Sequence, residues 1–221
     1  MNLLYFTLFS FAIFLTSLIG GKKYRNTTLY ALAIGGVVNA NFFHAGNYPI
    51  DCFGLPFGID SIIYTLFIFC VIVMLIKEGK KAAYLLAISS IIAIFFSALM
   101  QLSADLLSKG SSLETWTTFL SFNISCIASL IAVSIMLEIL DKIKSKVNNY
   151  LLLVIGIVVA SIINTTIYYP LMILISGVPE NILTLLLTSL LGKLLALISS
   201  LVTLLLLNQY DKKTDDKKSI E

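Results

Sequence analysis

Seven apolar stretches, each near the length of a helix that crosses a lipid bilayer, follow one another along almost the whole of this sequence. They are Leu3–Gly20, Thr28–Phe43, Ile59–Ile76, Ala82–Ala104, Trp116–Leu137, Tyr150–Ile175 and Asn181–Leu207. A hydrocarbon core needs about 20 helical residues, and no water-soluble core of this size could bury so many runs at once. Hydrophobic residues make up 58% of the chain and charged residues 12%, with a mean hydropathy of +0.97, where soluble domains have about a quarter charged. The expected fold is all-α, a polytopic transmembrane bundle of seven helices occupying residues 1–207 in contact with the lipid bilayer. Residues 208–221 are expected to form a charged cytoplasmic tail. From Asp211 the tail mixes lysines with acids, which reads as a solvated, disordered end. The first stretch has no basic leader and its positive flank follows it, so it is expected to be a retained helix.

Charge supplies the orientation. The second stretch is the weakest, being short and containing Gly35, Gly36, Asn39 and Asn41. It is kept because of where the basic residues fall. The connections after stretches one, three and five, together with the tail, contain the clusters Lys22-Lys23, Lys80-Lys81 and Lys142 to Lys146 and the tail lysines, whereas the opposite connections contain only Lys109. The positive-inside rule then places the N-terminus outside and the C-terminus in the cytoplasm of a cell membrane, an inner membrane where the cell has two. A net charge of +3 is thereby explained by topology, and with no arginine-rich or aromatic-interleaved patch no nucleic-acid partner is expected.

Several chemistries are poorly supported. One histidine, His44, is too few for the common imidazole metal sites, and no GxSxG elbow accompanies it. Phe57-Gly58-Ile59-Asp60 lacks the first glycine of the GxGD pattern of membrane aspartyl proteases. No Walker motif occurs, so an ATP-driven step would need a partner subunit. Cys52, Cys70 and Cys126 have no metal-ligand spacing and read as small apolar fillers. The chain is expected to be no enzyme and to carry no cofactor or metal.

Against this apolar background Lys193 stands out. It is the one charged residue between Asn181 and Leu207, and an ammonium at that depth costs roughly 2.5–3.5 kcal/mol on insertion scales. It lies about 18 Å from the outer end of its stretch, too far for easy snorkelling. Ser189, Lys193, Ala196, Ser200 and Thr203 recur at helical spacing, so the lysine shares a stripe of small and polar residues that faces protein or water. Stretch six offers a matching stripe, Gly156, Ala160, Asn164 and Tyr168, with Ser161 and Thr165 beside it. Ser90, Ser97, Gln101 and Asp105 in stretch four, and Ser121, Ser125 and Ser129 in stretch five, read as helix-packing contacts. The loop from His44 to Gly58 is rich in glycine and proline and reads as a simple external loop or as a compact hairpin or half re-entrant cap. Asp60 and Tyr64, one turn apart, begin the next helix as a polar end or as ligand contacts.

From Thr28 onward the order of these features resembles the VUT family of membrane proteins, which includes the queuosine precursor transporters. The residues that carry the resemblance are Asn39, the Gly54-to-Gly58 loop, the run Tyr64-Thr65-Leu66-Phe67-Ile68-Phe69, the pair Lys80-Lys81 and Lys193. The connection Leu137 to Lys144 and the group Asn164-Thr165 with Tyr168-Tyr169 add to it. Where the family pattern has acids in the third and sixth stretches and a proline after the lysine, this chain has Cys70, Asn164 and Thr203. The resemblance implies a six-helix core over residues 28–207 with Leu3–Gly20 added. It also implies a permease for a small heterocyclic solute such as a deazaguanine-type base.

For such a ligand Asp60 or Asn164 would accept hydrogen bonds, Asn39, Asn164 or Lys193 would donate, and Tyr64, Phe67, Tyr168 or Tyr169 would stack. The site expected is a midplane one built by stretches two, three, six and seven. Lys193 is expected to have amides and hydroxyls for neighbours in place of carboxylates. Two other roles stay open: a ligand-sensing or assembly protein that moves no solute, and the substrate-binding subunit of an ATPase-coupled importer. So does association as a homo-oligomer.

Overall fold

The computed structural model describes residues 2–19, 24–45, 49–52, 55–176 and 182–218. They form an all-α bundle of seven helices: α1 (Asn2–Leu15, extended by a 3-10 turn at Thr16–Leu18), α2 (Arg25–Ala45), α3 (Ile59–Glu78), α4 (Lys80–Lys109), α5 (Leu113–Ile143), α6 (Asn149–Ser176) and α7 (Ile182–Lys218). Five of them, α3 to α7, are long and apolar enough to cross a bilayer. Their outward faces carry large apolar side chains such as Ile92, Met100, Leu174 and Ile198, more apolar surface than a monomer in water exposes. The bundle is a membrane-embedded one. Helix α1 is apolar but short, and α2 is long enough at 21 residues but less apolar. Leu29, Ala33 and Val37, each four apart, are buried where α2 packs against α3 and α4.

The turn-rich loop between α2 and α3 contains a small antiparallel hairpin. Strand β1 (Pro49–Cys52) pairs with β2 (Leu55–Gly58), with Pro49 opposite Gly58 and Cys52 opposite Leu55. β1 packs on α1 and β2 on α7, so the hairpin caps one end of the bundle. At the opposite end a single residue joins α3 to α4. Gly79 has φ +91°, a left-handed conformation that side chains with a Cβ rarely adopt. Gly110, with φ +73°, ends α4 in the same way, and the Ser112 hydroxyl caps α5 by accepting from the Thr115 amide at 3.1 Å.

Helix α3 is the centre. Every residue from Leu66 to Leu75 is buried, and α3 touches each of the other six helices, as a helix apolar on all sides must if it is to lie inside. α6 approaches it at Gly156, where an added Cβ would come within 2.5 Å of Ile72 and 2.9 Å of Leu140. Helix α1 packs on α7 and sets Phe14 edge-on to Phe69 of α3 at 5.4 Å.

The tail departs from expectation. Helix α7 continues to Lys218, and Asp211, expected to begin a solvated, disordered segment, is instead clamped between helices. The Arg25 guanidinium of α2 binds its carboxylate through both terminal nitrogens, one of them at 2.8 Å. The Lys77 ammonium of α3 donates to the same carboxylate at 2.9 Å. The Arg25 side chain is only 7% exposed and that of Asp211 14%, and a guanidinium so enclosed needs an anionic partner. Charge composition alone shows how many ions a tail has, and not that one of them will be required by an arginine 186 residues earlier. A second cluster at this end, with Glu138 taking hydrogen bonds from Lys80 at 2.8 Å and Tyr84 at 3.1 Å, ties α4 to α5.

Two substitutions test this packing by thermal unfolding in detergent. Gly156→Leu should lower stability by about 1–3 kcal/mol through overpacking against Ile72 and Leu140. Asp211→Ala should cost about 1.5–3 kcal/mol, the range for hydrogen bonds to charged groups, and Arg25→Met combined with it should recover part of that loss, since the double variant leaves no unpaired guanidinium.

Candidate functional site

Lys193 lies on the face of α7 turned toward α6, and it is 4% exposed. Its ammonium donates to Asn164 Oδ1 at 3.0 Å and to Thr165 Oγ1 at 2.8 Å, two successive residues of α6. It also lies 4.7 Å from the centre of the Tyr64 ring of α3, and the Tyr64 hydroxyl is held by the Ala160 carbonyl at 3.2 Å. Asn164 in turn donates through Nδ2 to Ser129 Oγ of α5 at 3.3 Å. One hydrogen-bonded chain therefore joins α5, α6 and α7, with α3 supplying the aromatic face. A hydrogen bond to a charged group is worth about 1.5–3 kcal/mol and a desolvated cation–π contact about 2. Two of the first and one of the second are of the same order as the cost of placing the lysine there.

Beside this network is a cavity of about 80 Å³, several times what a single water needs. Asp60, Tyr64 and Phe67 of α3 form one wall, and Asn164, Tyr168 and Tyr169 of α6 another. Ser189 and Lys193 of α7, Phe122, Ser125 and Ser129 of α5, Val37 of α2 and Ile94 of α4 complete it. In α2, α3, α6 and α7 the lining residues fall in the half nearer the hairpin, while Ile94 of α4 and Ser129 of α5 are at the middle of their helices. The Tyr168 hydroxyl pairs with that of Ser121 at 3.3 Å, and its ring meets that of Tyr169 edge-on at 5.1 Å. Asp60 is half-buried in the first turn of α3, where the helix dipole favours an anion. Among the described residues its carboxylate joins no ion pair or hydrogen bond. It lines the same cavity as Lys193 and Tyr168.

The structure brings Lys193, Asn164, Asp60, Tyr64 and Tyr168 to one cavity. Asn39 is on α2, two residues past Val37, but its side chain lies outside the described residues, as does that of His44. The α5 serines correct the sequence reading. Ser125 and Ser129 were expected to be packing contacts, yet both line the cavity, and α4 and α5 join the four helices expected to build it. Thr165, which the sequence offers as a neighbour of the α6 stripe and as half of the Asn164-Thr165 pair but not as a site residue, is the nearest partner of Lys193. The signal for it was adjacency: on an inward face, the residue after an amide can reach the same cation. Asp105 stays apart, accepting from Gln101 at 3.2 Å and lying 3.6 Å from Lys109. Among the described residues no group of three or more His, Cys, Asp or Glu is placed to hold a metal ion.

Comparison of the chain with known protein families, with characterised proteins and with solved structures finds no match.

The network predicts strong coupling between two helices. Lys193→Met leaves the Asn164 carbonyl oxygen without its donor, and Asn164→Leu leaves the ammonium with Thr165 alone, so the two changes should be non-additive. In a double-mutant cycle read by thermal unfolding the interaction energy should reach about 1 kcal/mol or more.

Proposed function

We propose that this chain is a permease of the cell membrane for a small polar heterocyclic solute, and that the cavity at Lys193 is its binding site. The observation that carries this reading is a buried cation held by neutral partners beside a cavity deep in a membrane-embedded bundle. Ionisable groups kept at such depth mark solute and ion pathways by default. The cavity also has the usual form of a small-molecule site, with apolar and aromatic walls and a few convergent polar groups.

The asymmetry of the bundle supports alternating access. Its hairpin half contains the cavity, while the other half is filled by the buried run of α3 and tied across by Arg25, Lys77 and Asp211. With the basic connections taken as cytoplasmic, the hairpin faces outward, and the filled, clamped half is what a carrier closed on its cytoplasmic side would have. The resemblance to the VUT family favours a deazaguanine-type base, such as a queuosine precursor, as cargo. In such a complex Lys193 would donate to the ring carbonyl, Asp60 or Asn164 would accept from ring and exocyclic N–H groups, and Tyr64 and Tyr168 would pack on the ring faces.

Uptake of a labelled deazaguanine base into proteoliposomes or expressing cells tests this. Lys193→Ala should abolish uptake with the protein still present in the membrane, and Glu138→Gln, far from the cavity, should transport as the parent does. Normal uptake by Lys193→Ala would overturn the proposal.

A further inference from the structure

Among the described residues the cavity is lined by one cation, Lys193, and one anion, Asp60, and the two form no ion pair. An ammonium has three N–H donors. Asn164 and Thr165 take two of them, which leaves one for the cavity. Asp60 contributes the complementary group, a carboxylate with acceptor sites only and no hydrogen-bond partner among the described residues. Between the two are aromatic walls, with Tyr64 and Phe67 edge to face at 6.3 Å on α3 and Tyr168 and Tyr169 on α6.

Asn164 and Thr165 solvate the Lys193 ammonium without neutralising it, and half-buried Asp60 has no ion pair among the described residues, so each keeps a charge that a ligand can meet. A solute with a single charge would satisfy one of them and leave the other uncompensated. A neutral apolar solute would satisfy neither.

We infer that the site selects a compact bipolar aromatic solute, whose ammonium meets Asp60 and whose carboxylate or ring carbonyl oxygen meets Lys193. This rests on the reading of the cavity as a ligand site and adds the charge pattern of the ligand. Two sources have this chemistry, an aromatic amino acid and an amine-bearing heterocyclic base, and both belong in the test.

The measurement is the thermal midpoint of the purified full chain in detergent, because a ligand that binds only the folded state raises it by mass action. The probes are L-phenylalanine and L-tryptophan, with 2-phenylethylamine lacking the carboxylate and 3-phenylpropionate lacking the amine. An aminomethyl-deazaguanine and the deazaguanine without its amine form the second arm. A concentration-dependent rise of a few degrees is expected for the bipolar members of at least one arm, and a smaller one or none for their half-molecules. Asp60→Asn should erase the advantage given by the amine and keep that given by the oxygen, and Lys193→Met should do the reverse. Asp60→Asn changes a half-buried residue in a first turn and leaves the Lys193 network intact, so it tests the inference even if Lys193→Met fails to fold.

A midpoint that follows the ring whether or not the amine is present, an Asp60→Asn variant that still distinguishes amine-bearing ligands, or no rise with any bipolar member overturns the inference. The permease reading fails separately. Bipolar binding without uptake into proteoliposomes would sink that reading alone, whereas uptake of a solute lacking the amine, unchanged by Asp60→Asn, would sink the charge pattern alone.

Discussion

Desolvation of α3 is the constraint on which the rest of the bundle depends. Inside hydrocarbon every backbone polar group must be satisfied within its own helix, so what a helix is free to vary is its side chains, and those of α3 change character along its length. Its first turns carry Asp60, Ser61, Tyr64 and Thr65, and the Thr65 hydroxyl turns back to the Ser61 carbonyl at 2.8 Å. From Leu66 to Leu75 it is apolar on all sides and fully enclosed. The bundle closes tightly around the second part beyond Phe67 and is hollow beside the first. The position of the cavity is thus written in the order of residues along one helix.

The solution found for Lys193 follows from the same dielectric. A carboxylate hydrogen-bonded directly to it would have cancelled its charge. Asn164 and Thr165 instead solvate the ammonium with dipoles, as water would, and leave its charge to act on the cavity. The amide at 164 suits this because it serves two masters, accepting from Lys193 through oxygen and donating to Ser129 through nitrogen. An aspartate there would pair with the ammonium and collapse the separation of charge on which the cavity's character rests.

Much of this was legible in the sequence, for a physical reason. Helical periodicity binds side chains to faces, so the stripe through Lys193 and the one through Asn164 can be set against each other from sequence, and the helices begin close to the starts of the apolar stretches, although α7 runs well past the end of its own. Hydroxyls were harder to read. Ser90 spends its hydrogen on the Leu86 carbonyl of its own helix at 2.9 Å, while Ser129 reaches across to another helix, and nothing in the local sequence distinguishes these two choices. The clamp on Asp211 was illegible for a related reason: composition treats charges as solvated until tertiary structure buries their partner. The hairpin was one of two readings of its loop, because glycine and proline show that a chain turns and not whether the arms then pair.

Lys193 and Asp211 belong to one unbroken helix, eighteen residues or roughly 27 Å apart along its axis. An α-helix resists stretching, so α7 acts as a push-rod between the cavity and the clamp. An axial shift of the lysine would therefore bear on the carboxylate that Arg25 and Lys77 hold. One rigid element thus spans the cavity and the clamp.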